Sequence, residues 1–190
     1  AYARLKSERP QLRVREAAQS LGVSEAELVA AEGAQRLKPD WSALLEQLPK
    51  LGRVMCLTRN EACVHERHGR YEKVEINGGM GLVLGPDIDL RLFLRRWTYG
   101  FACMQTLPSG TRQSLQFYDA AGAAIQKIYL TEDSDATAYE ALLSQFIQLE
   151  PAPLVTQAAP KPATPKPDSE VDVHALKRDW EGLRDTHDFY

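Results

Sequence analysis

A histidine near the carboxyl end of this sequence lies on the apolar side of a helical pattern. In VDVHALKRDWEGLRDTHDFY, helical spacing groups on one face Val173, Leu176, Trp180, Leu183, His187 and Tyr190. A neutral imidazole on such a face is usually bonded to backbone or water, and less often it binds iron or zinc. The pattern alone therefore favours core packing, with metal ligation by His187 as the alternative.

A second candidate is the alternating segment IDLRLFLRRW, which is typical of a β-strand with two different faces. One face carries Leu90, Leu92 and Leu94, and the other carries Arg91, Phe93 and Arg95. The pattern favours an exposed face with solvated charges, as it does for Arg112 and Gln113. The alternative is a face that meets an anionic or oxygen-bearing planar ligand. An arginine-bearing sheet opposite a histidine on an apolar helix has the ingredients of a haem site.

Two histidines in VHERHG have the spacing of metal ligands on a helix. The context of His65 and His68 predicts a strand, however, and residues three apart in a strand face opposite sides. We therefore expect surface or edge-strand histidines.

The segment REAAQSLGVSEAELVA has the layout of a DNA-binding helix-turn-helix. Its second helix carries Glu25, Glu27 and Glu32 and no basic residue, so a phosphate backbone would repel it. We expect a structural helix pair, while Arg13 and Arg15 keep a nucleic-acid role as the alternative.

Helices precede strands in the predicted order of elements. Helical patterns cover residues 1–51, with Ser24 and Asp40 as N-caps. From Arg53 the hydrophobic period changes to two, and turn signals separate the strand-like runs. A further helix, starting at Ser134 or Asp135, would cover the sheet. The predicted fold class is α+β, with N-terminal helices followed by an antiparallel β-meander that a helix covers.

The prolines indicate the domain boundaries. Residues 150–171 hold six of the eleven prolines and are predicted to form an extended linker. We expect one domain over residues 1–149 and a helix, cut short, over residues 172–190. Because the first residue is not Met, we expect the chain to be a fragment of a longer protein.

Composition narrows the class of protein. The 190 residues are 44% hydrophobic and 26% charged, with a formal net charge of −3, so the chain lacks the basic excess of nonspecific nucleic-acid binders. Three cysteines without CxxC spacing argue against a disulfide scaffold and a cysteine-based zinc site. No apolar run approaches the roughly 18 residues of a membrane span, and the first residues contain no signal-peptide core. We expect a cytoplasmic location without membrane insertion.

Several segments together resemble the bacterial cytoplasmic haem-utilisation family of HemS, HmuS, ChuS and PhuS, with PhuS-like members the most similar. They are LGVSEAEL, LTRNEACVHERHGRYE, IDLRLFLRRW, RQSLQFYDAAG, KIYLTEDSD and DTHDFY. Proteins of this family contain two similar α+β halves. The resemblance implies that this chain is the first half, its linker and the beginning of the second half.

The resemblance implies a carrier that binds haem b (hemin) and delivers it to a haem oxygenase, with an inner-membrane haem importer upstream. It implies that His187 is the proximal iron ligand, that Arg91 lies on the distal side and that Phe93 forms a pocket wall. The residues that bind the propionates would lie in the second half, and no catalytic residue is assigned. The alternatives are a haem-degrading, oxygenase-like enzyme and a haem-regulated DNA-binding protein.

Overall fold

The computed structural model describes residues 1–60, 63–108, 110–161 and 163–185. The chain forms two compact units, Ala1–Ala159 and Pro160–Tyr190. None of the helices in these described ranges is long and apolar enough to cross a membrane.

Three short helices begin the first unit: α1 (Tyr2–Glu8), α2 (Val14–Leu21) and α3 (Glu25–Ala31). Ser24 caps α3, as predicted. Its Oγ accepts a hydrogen bond from the Glu27 N–H at 3.1 Å, and the Glu27 carboxylate accepts one from the Ser24 N–H at 2.8 Å. Gly22, between α2 and α3, has a φ of 68°, which favours glycine at the end of a helix.

Two further helices flank the strands, α4 (Trp41–Leu45) and α5 (Ala136–Phe146). Asp40 caps α4 and Asp135 caps α5, each through its carboxylate and the N–H three residues later. A short 3₁₀ helix, Leu48–Leu51, follows α4.

The strands of the described residues form two antiparallel sheets. They are β1 (Gln35–Arg36), β2 (Gly52–Arg59), β3 (Val64–Gly69), β4 (Val74–Asn77), β5 (Met80–Leu84), β6 (Asp89–Phe93), β7 (Tyr99–Leu107), β8 (Gly110–Tyr118) and β9 (Ala124–Ser134). The larger sheet has the order β1-β7-β8-β9-β2-β3, and the smaller has the order β4-β5-β6.

The predicted α+β class is confirmed, and the strand order refines the predicted meander. Two meanders, β4–β6 and β7–β9, lie in different sheets, and β2 pairs with β9. Cys56 of β2 lies opposite Ile128 of β9, and both side chains are buried in the same core. This non-local pairing closes the core of the first unit.

The main core lies between the two sheets and the helices α4 and α5. Helix α5 contributes four buried residues to this core: Tyr139, Leu142, Leu143 and Phe146. Trp97 stacks on Phe117 with ring centroids 4.3 Å apart, and Trp41 Nε1 donates a hydrogen bond to the Trp97 carbonyl at 2.8 Å. The Trp41 ring lies against Gly100, where a Cβ would come within 2.8 Å of it.

A smaller core lies on the other face of the larger sheet, where α3 packs. It contains Ala26 and Val29 of α3 with Phe101, Cys103 and Tyr118 of the sheet. Ala17 and Ala18 of α2 pack in turn with Leu28 of α3, so both helices take part in the packing of the first unit.

The second unit contains α6 (Val173–Glu181), which Asp172 caps. The sequence predicts a helical stripe up to Tyr190, but α6 ends at Glu181, because Gly182 lowers the helix propensity there. The apolar residues Val173, Leu176 and Trp180 are exposed. His187 lies outside the described residues.

Candidate functional site

A cleft of about 930 Å³ opens in the first unit where β2 ends and β9 begins. Its walls come from α2, the start of α3, β6 and the turn between β8 and β9. Small-molecule and cofactor sites have volumes of roughly 300–1,000 Å³. The cleft is therefore large enough for a cofactor.

Strand β6 forms one wall of the cleft, with Arg91 and Phe93 among the lining residues. Arg91 lies opposite Leu82 of β5, and Phe93 lies opposite Met80. Leu92 is buried in the core, whereas Phe93 is 54% exposed and Arg91 is half-buried. The predicted two-faced strand is confirmed over Asp89–Phe93, whereas Leu94 and Arg95 lie in a short 3₁₀ helix and not in the strand.

Trp97 and Arg96 continue this wall beyond β6. Arg96 is the last residue of the short 3₁₀ helix Leu94–Arg96, and Trp97 follows it. Trp97 is buried and stacked on Phe117, whereas Arg96 is exposed. This wall therefore combines the packed aromatic ring of Trp97 with the guanidinium groups of Arg91 and Arg96.

Three polar side chains that line the cleft form a row across three neighbouring strands. Thr58 of β2 lies directly opposite His65 of β3 and Gln126 of β9. Side chains paired in this way stand on the same face of a sheet, and all three line the cleft. His65 is exposed on a strand at the edge of the sheet, as predicted.

Gln126 belongs to a buried polar cluster behind this row. Its Nε2 donates hydrogen bonds to Tyr71 Oη at 2.6 Å and to Cys56 Sγ at 3.2 Å. Its Oε1 is buried and has no hydrogen-bond partner among the described residues. Burial raises the pKa of the Cys56 thiol and of the Tyr71 hydroxyl, so both groups stay protonated near neutral pH. This cluster does not provide a reactive thiolate.

The charged groups that line the cleft are predominantly basic: Arg15, Arg59, Arg91 and Arg96. The cleft also contains Glu25 and Asp119, but both carboxylates have strong partners. Glu25 pairs with Lys127 at 3.0 Å, and Asp119 Oδ1 accepts two backbone N–H bonds at 2.9 Å. The cleft therefore favours an anionic ligand, although the whole chain has a net charge of −3.

The structure brings Arg91 and Phe93 to the same cleft, whereas His187 lies outside the described residues. His65 and His68 stand on β3, and no group of metal-binding side chains forms within the described ranges. Arg112, exposed on β8, lies 5.5 Å from the centre of the Tyr129 ring and does not line the cleft.

Sequence reasoning missed two cleft residues, Arg59 and Gln126. A glutamine in the strand-like run AIQKIYL is a signal for Gln126, because a buried amide needs partners. Arg59 lines the cleft because α2 packs near the end of β2, which no local pattern indicates.

Comparison with known proteins places this geometry in context. Residues 22–146 match the model of a family described as the haemin-degrading HemS.ChuX domain. The chain is 39% identical to the hemin transport protein HemS of Yersinia enterocolitica, over 100% of this chain and 55% of that protein. It therefore spans about half the length of this curated relative.

Solved structures of similar proteins share the fold. Holo-PhuS, a heme-binding protein from Pseudomonas aeruginosa, has a TM-score of 0.82 and 47% identity, covering 99% of this chain and 56% of PhuS. The heme degrading enzyme ChuS of Escherichia coli O157:H7 has a TM-score of 0.80 and 34% identity, covering 99% of this chain and 55% of ChuS.

Proposed function

Because this chain belongs to the haemin-degrading HemS/ChuX family, we propose that it binds haem b and serves in haem utilisation as a cytoplasmic carrier. The carrier receives haem that an inner-membrane importer supplies and delivers it to a haem oxygenase. The names of the similar proteins HemS and PhuS, a hemin transport protein and a heme-binding protein, support this proposal.

The observation that carries the proposal is the pair of residues Arg91 and Phe93 on one wall of the cleft. Phe93 is 54% exposed, so its ring is available to cover an apolar macrocycle, and removing both surfaces from water is favourable. The basic lining suits a ligand with two carboxylates. The described residues of the cleft therefore fit haem in size, apolarity and charge.

Arg91 is proposed as the residue on the distal side of the ligand. A guanidinium keeps its proton at physiological pH and does not ligate iron. It donates hydrogen bonds instead, and its half-buried place on β6 limits the directions in which it donates. Arg91 would hold a water molecule or another oxygen-bearing group near the centre of the ligand.

His187 is proposed as the proximal ligand, because the segment DTHDFY carries the resemblance to the family at this point. A neutral imidazole nitrogen is a common ligand of haem iron. We also propose that residues 1–149 are the first of two similar halves, with 150–171 as the linker and 172–190 as the start of the second. Support comes from the 55% share of HemS that this chain covers.

Removing the His187 imidazole should change the spectrum of bound haem. We expect the 190-residue chain titrated with hemin to develop a Soret band, and His187→Ala to shift that band and weaken binding at least about tenfold. His174→Ala, also in the second unit and exposed, is the matched control and should bind like the wild type. An unchanged band in His187→Ala would remove His187 from the proximal position.

Haem degradation is the second candidate function. The matching family is described as haemin-degrading, and the similar protein ChuS is a heme degrading enzyme, which favours this function. Bound haem would supply the redox chemistry, whereas the protein would hold it and place Arg91 as a donor.

Oxygen-dependent loss of haem distinguishes the two candidates. For a carrier, we expect the Soret band of the haem-loaded chain to persist in ascorbate and oxygen when catalase removes free peroxide. Continued loss of the band with catalase, slowed by Arg91→Ala but not by Arg95→Ala, would favour the enzyme instead. Arg95 is a suitable control because it is exposed on the same segment and does not line the cleft.

A further inference from the structure

The turn between β8 and β9 forms one wall of the cleft. Its lining residues are Asp119, Ala121, Gly122 and Ala123. Hydrogen bonds within the turn determine its shape, since Asp119 Oδ1 accepts the N–H groups of Ala121 and Ala123 at 2.9 Å. These bonds do not determine where the tip of the turn lies, because all their groups belong to the turn itself. The position of the tip depends on contacts with other segments.

Helix α3 and a segment near the start of the proline-rich region both contact this turn. At α3, the Ala26 N–H donates a hydrogen bond to the Gly122 carbonyl at 3.1 Å. The other segment comprises residues 154–159, which we call the strap. Within the strap, the Gln157 N–H donates a hydrogen bond to the Ala120 carbonyl at 2.8 Å.

Gly122 packs closely against both segments. A Cβ at this position would come within 2.5 Å of Ser24 Cβ, at the N-cap of α3, and within 3.1 Å of Thr156 Cγ2 in the strap. The strap belongs to the first unit, and Ala159 at its end lines the cleft itself. Moving the strap away would therefore remove contacts that hold this wall of the cleft in place.

The strap is also attached to the larger sheet. Tyr99 Oη donates a hydrogen bond to the Val155 carbonyl, and the half-buried Leu154 side chain packs against the smaller core. Val155 itself is 71% exposed, and the strap is neither helix nor strand. Segments with few buried apolar contacts open locally at a lower free-energy cost than the unfolding of the whole domain. We therefore expect the strap to undock while the sheet stays folded.

We propose that the strap controls the release of haem from the cleft: bound haem stabilises the docked strap, and haem leaves when the strap undocks. This inference rests on the proposed function and adds to it the release step that a carrier needs. A ligand in the cleft contacts the turn and Ala159 in the docked arrangement, so its affinity for that arrangement is higher. By linkage, the factor by which undocking weakens haem binding equals the factor by which bound haem suppresses undocking.

Hydrogen exchange at the Gln157 amide tests whether haem stabilises the docked strap, because this N–H bonds the turn only in the docked arrangement. In the 190-residue chain, hemin should slow this exchange at least about fivefold, measured by mass spectrometry. Unchanged exchange in the hemin-bound chain would overturn the role of the strap and leave the proposed function standing.

Tyr99→Phe tests whether undocking releases haem. It removes the hydroxyl that bonds Val155 and keeps the aromatic ring beside Arg36. We expect hemin to dissociate roughly 2- to 10-fold faster, because the docked strap loses one hydrogen bond. The transfer of hemin to excess apomyoglobin measures this rate. Tyr129→Phe is the matched control and should release hemin like the wild type, since Tyr129 lies in the same sheet and has no hydrogen bond to the strap in the described ranges.

Leu154→Ala is an independent second variant, and its control is Leu149→Ala, at a leucine that is 90% exposed. Leu154→Ala should also accelerate release, because the strap loses its half-buried side chain, whereas Leu149→Ala should not. The Soret band should keep its wild-type position in all these variants, since the strap acts on the cleft wall and not on the iron ligand. Unchanged release in both Tyr99→Phe and Leu154→Ala would overturn the role of the strap alone. Failure of the wild-type chain to bind hemin would overturn the proposed function, and the role of the strap with it.

Discussion

Glu25 is a charged residue that is buried together with its counter-ion, Lys127. The side chains of Glu25 and Lys127 are 9% and 8% exposed, and their charged atoms lie 3.0 Å apart. The sequence pattern identifies Glu25 only as an acid that a phosphate backbone would repel. Its partner stands 102 residues away, so no local signal predicts the pair. Because each charge requires the other at a buried site, the pair joins α3 to β9.

Removing one charge of this pair should destabilise the fold strongly. We expect Glu25→Gln to lower the free energy of unfolding by about 3–5 kcal/mol, since Lys127 stays buried without a counter-charge. The double variant Glu25→Gln, Lys127→Met should recover most of the loss. Urea unfolding followed by circular dichroism measures both values.

The matched control is Glu32→Gln, which removes the carboxylate of the Lys6–Glu32 ion pair, a pair that is more exposed than Glu25–Lys127. It should cost no more than about 1 kcal/mol. If Glu25→Gln and Glu32→Gln lowered the free energy of unfolding equally, burial would not be the reason that the Glu25–Lys127 pair matters for stability.

Helix starts are local features, and the sequence predicts them well. Ser24, Asp40 and Asp135 each accept the N–H of the residue three positions later, because their short side chains reach it. The predicted continuation of the helix over residues 182–185 is wrong, since the apolar spacing outweighed Gly182 in that prediction. The pairing of β2 with β9 is not predictable in this way, because both strands have the same period-two pattern as their neighbours.

The Ser24 cap should contribute measurably to stability, with a defined dependence on pH. We expect Ser24→Ala to lower the free energy of unfolding by about 1 kcal/mol at pH 7, because α3 loses a side-chain acceptor at its first turn. The matched control is Ser20→Ala. The exposed Ser20 hydroxyl donates a hydrogen bond to the Glu16 carbonyl, and we expect its loss to change the free energy of unfolding by less than about 0.5 kcal/mol.

Hydrogen bonds from Ser24 lower the pKa of the Glu27 carboxyl below its ordinary value of 4.5. Because the Glu27 pKa is lower in the folded protein than in the unfolded chain, the ionised carboxylate stabilises the fold fully at pH values above 4.5. This stabilisation is lost as the pH falls through the pKa of Glu27 in the folded protein. Thermal unfolding of both variants between pH 3 and pH 7 therefore gives a smaller cost for Ser24→Ala in acid. A cost that grows in acid would contradict the role of Glu27.

For the molecule as a whole, the fold class follows from the order of helical and period-two patterns, but the cleft does not. The resemblance to a haem-utilisation family identifies Arg91 and Phe93, and the structure brings both to one wall. Arg59 and Gln126 reach the same cleft only through the pairing of distant strands and the packing of α2. Sequence spacing therefore predicts the elements of this site, whereas long-range strand partners decide which side chains meet.

Gly100 and Trp41 place a constraint on how this fold can diverge. The indole ring lies against the backbone at position 100, where even a methyl group would collide with it. Alanine at position 100 should cost less stability once position 41 has already lost its large ring, because the next nearest atom, Phe117 Cδ1, would lie 3.3 Å from the added Cβ. Homologous genes should consequently record paired exchanges at these two sites, in that historical order.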